Sequence, residues 1–346
     1  MCSSDLEALR DFVRGFALAM AQIAARALAT FLVLQMLDAI YPGLGKATAA
    51  YMGAGQYHTG GIVSGQSALI NLGGFTASGM AVVPKLAMMI QLPGQGGGGF
   101  GGGGFGGGSQ GGNAEAARTA ALDSLKQLLD DAVAYGKAMD ATGVPRPATD
   151  LILAALVPAV RGEMPVGFRA ESQQDIRAAV EFASERGLKP VIVGGRDSWR
   201  IASYLKENDV PVLFTGTMSI PNRDDDPYDA NYAAASKLAA AGVRFAISSG
   251  EDDPDIRNLP YVAGMAAAFG LDHDAALRAV TLSPAEILGV ADRLGSLEVG
   301  KMANLVITTG DILEARTDTR YLFIDGRPVP LDTKHSELWE MFKDRK

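Results

Sequence analysis

Few residues in this 346-residue chain are equipped for chemistry. Two acidic runs, Asp224-Asp225-Asp226 and Glu251-Asp252-Asp253, could gather oxygen ligands around a hard cation. Glu251 and Asp252 are the candidate catalytic carboxylates, and Asp224, Asp225 and Asp226 the weaker metal candidates. Arg169, Arg196 and Arg257 could clamp a small anion, because the guanidinium fork matches a carboxylate or phosphate. Each set also has an ordinary reading: acidic runs as solvated loops, arginines as structural ion-pair partners. Histidine is scarce, with only His58, His273 and His335, and no His-x-His occurs. A conventional four-histidine metal site is therefore excluded. Cys2 is the single cysteine, which excludes an intrachain disulfide and a cysteine-based zinc site. A serine nucleophile is poorly supported: Val63-Ser64-Gly65-Gln66-Ser67-Ala68 lacks G-x-S-x-G, and His58 is its one sequence-local base. Gly53-Ala54-Gly55 runs into Gln56-Tyr57-His58, without the third glycine of a dinucleotide loop.

The elements that would position these residues follow a clear alternation. Helices are expected over 114–140, 148–162, 172–187, 197–208 (Asp197 near its N-cap) and 228–242. Strands are expected over 165–170, 189–195, 210–216 and 243–250. Residues 60–75 read as a strand, a Gly-Gln turn and a second strand. Strands separated by helices make βα units and a parallel sheet. Four strands end in polar clusters, led by Arg169-Ala170-Glu171, Gly194-Gly195-Arg196-Asp197, Thr215-Gly216-Thr217 and Ser248-Ser249-Gly250. In a βα barrel such ends share one rim, where chemistry sits. The glycine-rich tract 94–112 lacks the Lys-Ser/Thr of a phosphate loop and reads as a mobile insertion. Near the C-terminus, ANLVIT is a strand and FIDGRPV a hairpin whose Asp325-Gly326 suits a type I′ turn.

The C-terminal motifs carry a resemblance. Ala279-Val-Thr-Leu-Ser-Pro-Ala-Glu-Ile-Leu-Gly289 precedes Gly295-Ser-Leu-Glu-Val-Gly-Lys-Met-Ala-Asn-Leu-Val306. Together with Phe323-Ile-Asp-Gly-Arg-Pro-Val329 they resemble the end of the amidohydrolase superfamily, in its imidazolonepropionase-like group. The resemblance covers roughly residues 163–330. It implies an α/β fold: a TIM-like (β/α)8 amidohydrolase barrel, here incomplete at the N-terminus, with the remnant of a small β-sandwich. It implies a hydrolase acting on carbon–nitrogen bonds other than peptide bonds. It also implies one or two divalent metals, zinc or manganese, which lower the pKa of the attacking water.

The implied ligand positions depart from that pattern. The fifth-strand histidine falls on Arg169 and the sixth-strand histidine on Gly194. The eighth-strand aspartate falls on Gly250, or on Asp252 if the loop slips by two. A catalytically degenerate homologue that binds a small anion is the alternative. The expected segments are a helical stretch over 1–45, a barrel over 46–290, sandwich strands over 291–335 and a tail over 336–346.

Composition bounds the rest. A net charge of −8 lacks the basic footprint of a nucleic-acid binder. Residues 15–40 are apolar enough to span a bilayer, but Arg26 is costly at mid-membrane and acidic residues precede the stretch, so a buried or amphipathic helix is favoured. Cys2-Ser3-Ser4-Asp5-Leu6 back-translates to TGC TCT TCC GAT CTN, which resembles the end of a sequencing adapter, so residues 1–45 are open to being non-native and the true N-terminus to being lost. A small-molecule ligand and a homo-oligomer are the expected partners; the compartment is left open between cytoplasm and export.

Overall fold

The computed structural model describes residues 63–70, 80–93, 112–143, 145–221, 223–249 and 253–345. The expectations for residues 1–45, for His58, and for the glycine-rich tract up to Gly111 lie outside them. A six-stranded sheet runs in the order β1 (Val63–Ile70), β2 (Ala81–Ile90), β3 (Pro165–Ala170), β4 (Lys189–Gly194), β5 (Val212–Phe214), β6 (Phe245–Ile247). β1 and β2 are antiparallel, and β2 through β6 are parallel. The result is an open half-barrel. Sequential order across parallel strands is what repeated βα units produce.

Helices fill the connections: α1 (Gly112–Asp140) and α2 (Leu151–Val160) before β3, α3 (Gln173–Glu185) before β4. A 3₁₀ turn (Ser198–Ile201) and α4 (Ala202–Glu207) precede β5, and α5 (Ala234–Ala240) precedes β6. A second 3₁₀ turn (Asp253–Asn258) leads into α6 (Leu259–Ala268), α7 (His273–Ala279) and α8 (Leu282–Ile287). Local chemistry starts these helices well. The Asp150 carboxylate accepts from the Ile152 and Leu153 N–H groups, and Ser172 Oγ accepts from Asp175 N–H. The Asp197 side chain makes no cap bond, contrary to expectation, because its carboxylate is engaged elsewhere.

Parallel strands between helix layers bury both faces, which explains the runs PVGFRA and KPVIVG. Val166, Phe168, Ile192, Val212 and Phe214 are fully inaccessible. The Phe168 ring meets Phe182 of α3 edge-on, 6.3 Å between centroids. The Gly65-Gln66 turn is not found: both residues lie inside β1, which absorbs them through register shifts between Val63 and Gly65 and again after Ser67. Gln66 Nε2 donates to the Ala155 carbonyl at 2.9 Å, an anchor that a turn would not provide. Several elements are shorter than expected, notably α5, because Pro227–Ala233 forms turns before the helix begins.

A separate antiparallel sheet comprises β7 (Leu305–Thr308), β8 (Thr319–Ile324) and β9 (Arg327–Val329). Asp325 and Gly326 both have positive φ, 52° and 73°, as the type I′ turn requires. The expected tail contains a helix, α9 (Lys334–Phe342), encoded by a capping box between Thr333 and Ser336. No described helix is long and apolar enough to cross a membrane.

Candidate functional site

Register decides where the rim lies. Ala170 pairs with Gly194, Gly194 with Phe214, and Phe214 with Ile247, so four strands end level. The polar clusters that follow therefore share one edge of the half-barrel, as the strand spacing requires.

Glu171, directly after β3, is the central carboxylate of this edge. Its Oε2 accepts the Arg196 backbone N–H at 3.0 Å, and the Arg196 guanidinium Nε lies 3.8 Å away. Gly194 has φ +99°, and a Cβ there would meet Glu171 Oε1 at 2.4 Å. The carboxylate thus occupies the space that a side chain at position 194 would need. Burial pushes the Glu171 pKa above its ordinary 4.5, and the Arg196 backbone and guanidinium only partly offset this. The carboxylate keeps 49% of its side chain accessible and is seated against the strand ends.

A second polar cluster lies under the loops after β4 and β5. Asp197 is buried and faces two arginines: Arg200 Nε at 3.5 Å and Arg223 Nη2 at 3.4 Å. Arg200 also pairs with Asp226, whose side chain is 8% exposed, and stacks on the Trp199 ring at 4.3 Å. Lys237 Nζ lies 3.8 Å from the same ring centroid. Asn231 Nδ2 donates to the Ser219 and Ile220 carbonyls, which fixes the loop after β5. Ser198 and Thr217 are fully buried, and their hydroxyls have no hydrogen-bond partner among the described residues.

The sequence candidates separate on this frame. Arg169 is exposed near the end of β3, and Arg196 stands at the end of the adjacent strand in contact with Glu171. Arg257 is exposed on the 3₁₀ turn after β6. The run 224–226 does not act as one ligand set: Asp226 turns inward to Arg200, while Asp224 and Asp225 are exposed. Gly250, Glu251 and Asp252 lie outside the described residues. His273 begins α7, half-exposed, with Nε2 2.5 Å from Asp311 Oδ2. His335 is exposed on α9. Sequence reasoning missed the roles of Glu171, Asp197 and Arg200; the Asp-x-x-Arg spacing of 197–200 was the one local signal for the last pair.

The amidohydrolase family model matches residues 111–329, which is more than half of the chain. The chain belongs to the amidohydrolase family. Over 150 residues this amidohydrolase is 29% identical to the imidazolonepropionase of Maricaulis maris (strain MCS10). That match takes in 42% of the chain but only 35% of the relative, so the chain spans about a third of that protein's length. The amidohydrolase from Thermotoga maritima MSB8 superposes with a TM-score of 0.65 at 22% identity, covering 77% of this chain and 68% of that one. At that identity the likeness establishes the fold.

Family membership implies a divalent metal, and the described rim does not fit one. Arginine stays protonated and offers no lone pair at position 169. Position 194 is a glycine whose side-chain space is filled by Glu171. Among the described residues no three His, Cys, Asp or Glu side chains are grouped to hold an ion.

Proposed function

We propose that this chain forms the substrate-facing half of a hydrolase that cleaves a carbon–nitrogen bond, other than a peptide bond, in a small carboxylate-bearing molecule. The observation that carries the reading is Glu171: a rim carboxylate in an amidohydrolase-family half-barrel, with a pKa raised by burial and a cation beside it. A carboxyl group in that state can take a proton and give it back. In the proposed reaction Glu171 accepts the proton of a water molecule as its oxygen bonds to the carbonyl or amidine carbon. It then delivers that proton to the nitrogen as the C–N bond breaks. Arg169, Arg196 and Arg257 hold the substrate carboxylate through charge-assisted hydrogen bonds.

A second reading, a binding module without turnover, is favoured by the filled space at Gly194. One set of measurements separates the two. The protein is dialysed against zinc and manganese and its metal content measured by elemental mass spectrometry. Amine or ammonia release is then followed across N-acyl amino acids and cyclic amides, in parallel with calorimetric binding. Hydrolysis by the wild type that falls about 10²- to 10⁴-fold in Glu171→Gln supports the enzyme reading. Carboxylate binding that is lost in Arg196→Ala, with no turnover of any compound, establishes the module instead. Hydrolysis unchanged in Glu171→Gln removes Glu171 from the mechanism.

A further inference from the structure

The turn that follows β4 grips Glu171 at two points. The Arg196 N–H donates to the Glu171 carboxylate at 3.0 Å, and the Asp197 N–H donates to the Glu171 carbonyl at 2.9 Å. Successive N–H groups of one turn thus fix both the side chain and the backbone of the rim carboxylate. The orientation of Glu171 therefore depends on what holds this turn.

The hold comes from the loop after β5. The Arg196 stem lies on Gly216, where a Cβ would meet its Cγ at 3.2 Å. Arg223 Nη2 donates to Asp197 Oδ2 at 3.4 Å. Arg200 faces the same carboxylate through Nε at 3.5 Å, but it is shared with Asp226. The charges alternate as Asp226, Arg200, Asp197, Arg223, with both ends on the loop after β5 and both middle members on the segment after β4. Asp197 stands at the N-cap of a 3₁₀ turn, yet its side chain makes no cap bond and is committed to this ladder instead. Buried ion pairs add little net stability, because desolvation offsets their attraction; their better-attested use is to fix one geometry. Arg223 keeps 48% of its side chain accessible, against 6% for Asp197. Losing a half-solvated cation costs the whole fold little. It leaves a buried carboxylate without one of its two cations, and that carboxylate is relieved only if the turn moves.

We propose that Arg223 is a positioning residue: through Asp197 it holds the turn whose N–H groups orient Glu171. The inference rests on the reading of Glu171 as the proton-transferring carboxylate. The charges that act on Glu171 are Arg196, Asp197 and Asp175. Arg223 is not among them, so its influence on Glu171 travels through the turn.

The test follows the full chain by amide NMR and hydrogen exchange. An amide that donates to a carboxylate reports the ionisation of that carboxylate, and Glu171→Gln assigns the response. In the wild type the Arg196 amide should titrate with Glu171. In Arg223→Met that titration should be lost, and the Arg196 and Asp197 amides should exchange about tenfold faster or more, with β3 and α3 unchanged. Arg223→Lys returns a cation and should restore most of the protection, whereas Asp197→Asn should reproduce the loss with Arg223 intact. Against N-acyl amino acids, kcat should fall about tenfold or more in Arg223→Met while KM stays nearly constant. Unchanged Arg196 and Asp197 amides in Arg223→Met, or protection lost equally throughout the sheet, would overturn the proposal. Turnover that falls in Glu171→Gln but not in Arg223→Met would also overturn it, and would leave the hydrolase reading intact. A wild type without turnover whose two amides still respond to Arg223→Met removes the hydrolase reading and leaves the hold on Glu171 established.

Discussion

Replacing Asp226 by Ala distinguishes a structural carboxylate from a metal ligand. Its side chain is 8% exposed and pairs with Arg200, itself 20% exposed. Removing one partner of a buried pair typically costs about 3–5 kcal/mol, because the remaining charge stays desolvated. Arg200 would keep Asp197 at 3.5 Å and the Trp199 ring at 4.3 Å, so part of its compensation survives. The expected loss is therefore about 2–3 kcal/mol. Asp225, one residue away and exposed, is the control, and its alanine variant should stay within about 0.5 kcal/mol of wild type. Urea unfolding followed by tryptophan fluorescence measures both, since Trp199 stacks on the affected arginine. Arg200→Met removes a cation that both buried carboxylates, Asp197 and Asp226, face, so it should cost more than Asp226→Ala. Equal losses for Asp225 and Asp226, or a loss for Asp226→Ala below about 0.5 kcal/mol, would refute the ion-pair reading. A stabilisation of the wild type by added manganese that vanishes in the Asp226 variant would restore the acidic run as a ligand set.

Further outcomes follow from the same geometry. The His273–Asp311 pair joins α7 to the segment after β7, with Asp274 the other charge facing the imidazole. Asp311 raises the His273 pKa above 6.5, and the Leu313 backbone N–H and His273 lower that of Asp311 below 3.8. The contribution of the histidine is complete below 6.5 and is lost as pH rises through its folded value. That of the aspartate is complete above 3.8 and is lost as pH falls through its folded value. The stability gap between wild type and His273→Ala should thus be widest between those two values, and a gap that grows toward alkaline pH would contradict the pairing. Gly264→Ala would place a Cβ 2.5 Å from the Leu313 carbonyl oxygen, a backbone atom that cannot swing away; thermal unfolding should show a loss of about 1–3 kcal/mol. Phe168→Ala removes a fully buried ring that meets Phe182 and should cost about 3–5 kcal/mol in urea unfolding. If Glu171 works as a base, the rate should fall with acid through a pKa above 4.5, and an acid limb at or below that value would remove its burial from the account.

Much of the half-barrel is legible in the chain itself. The runs PVGFRA and KPVIVG can only be strands buried on both faces, and the amphipathic stretches between them can only be their covering helices. These are local signals: period, caps and turn residues act within a few positions, as the Asp325-Gly326 hairpin shows. The family likewise follows from the local motifs at 279–289 and 295–306, within the matched range. The misreading of Gly65-Gln66 has a tertiary cause, since the partner that keeps the strand running is β2, and Gln66 is anchored 89 residues away. The site divides in the same way. Residue types alone exclude a conventional four-histidine metal centre. They do not reveal which carboxylate faces which cation. Asp226 looks like its neighbours along the chain and differs from them only because Arg200, 26 residues earlier, lies within reach. Glu171 looks like a loop acid, and it becomes the rim's raised-pKa carboxylate only because the register sets it against Gly194 of the next strand. Electrostatic environment is a property of three-dimensional neighbours and of solvent exclusion, and neither is fixed until the strands pair.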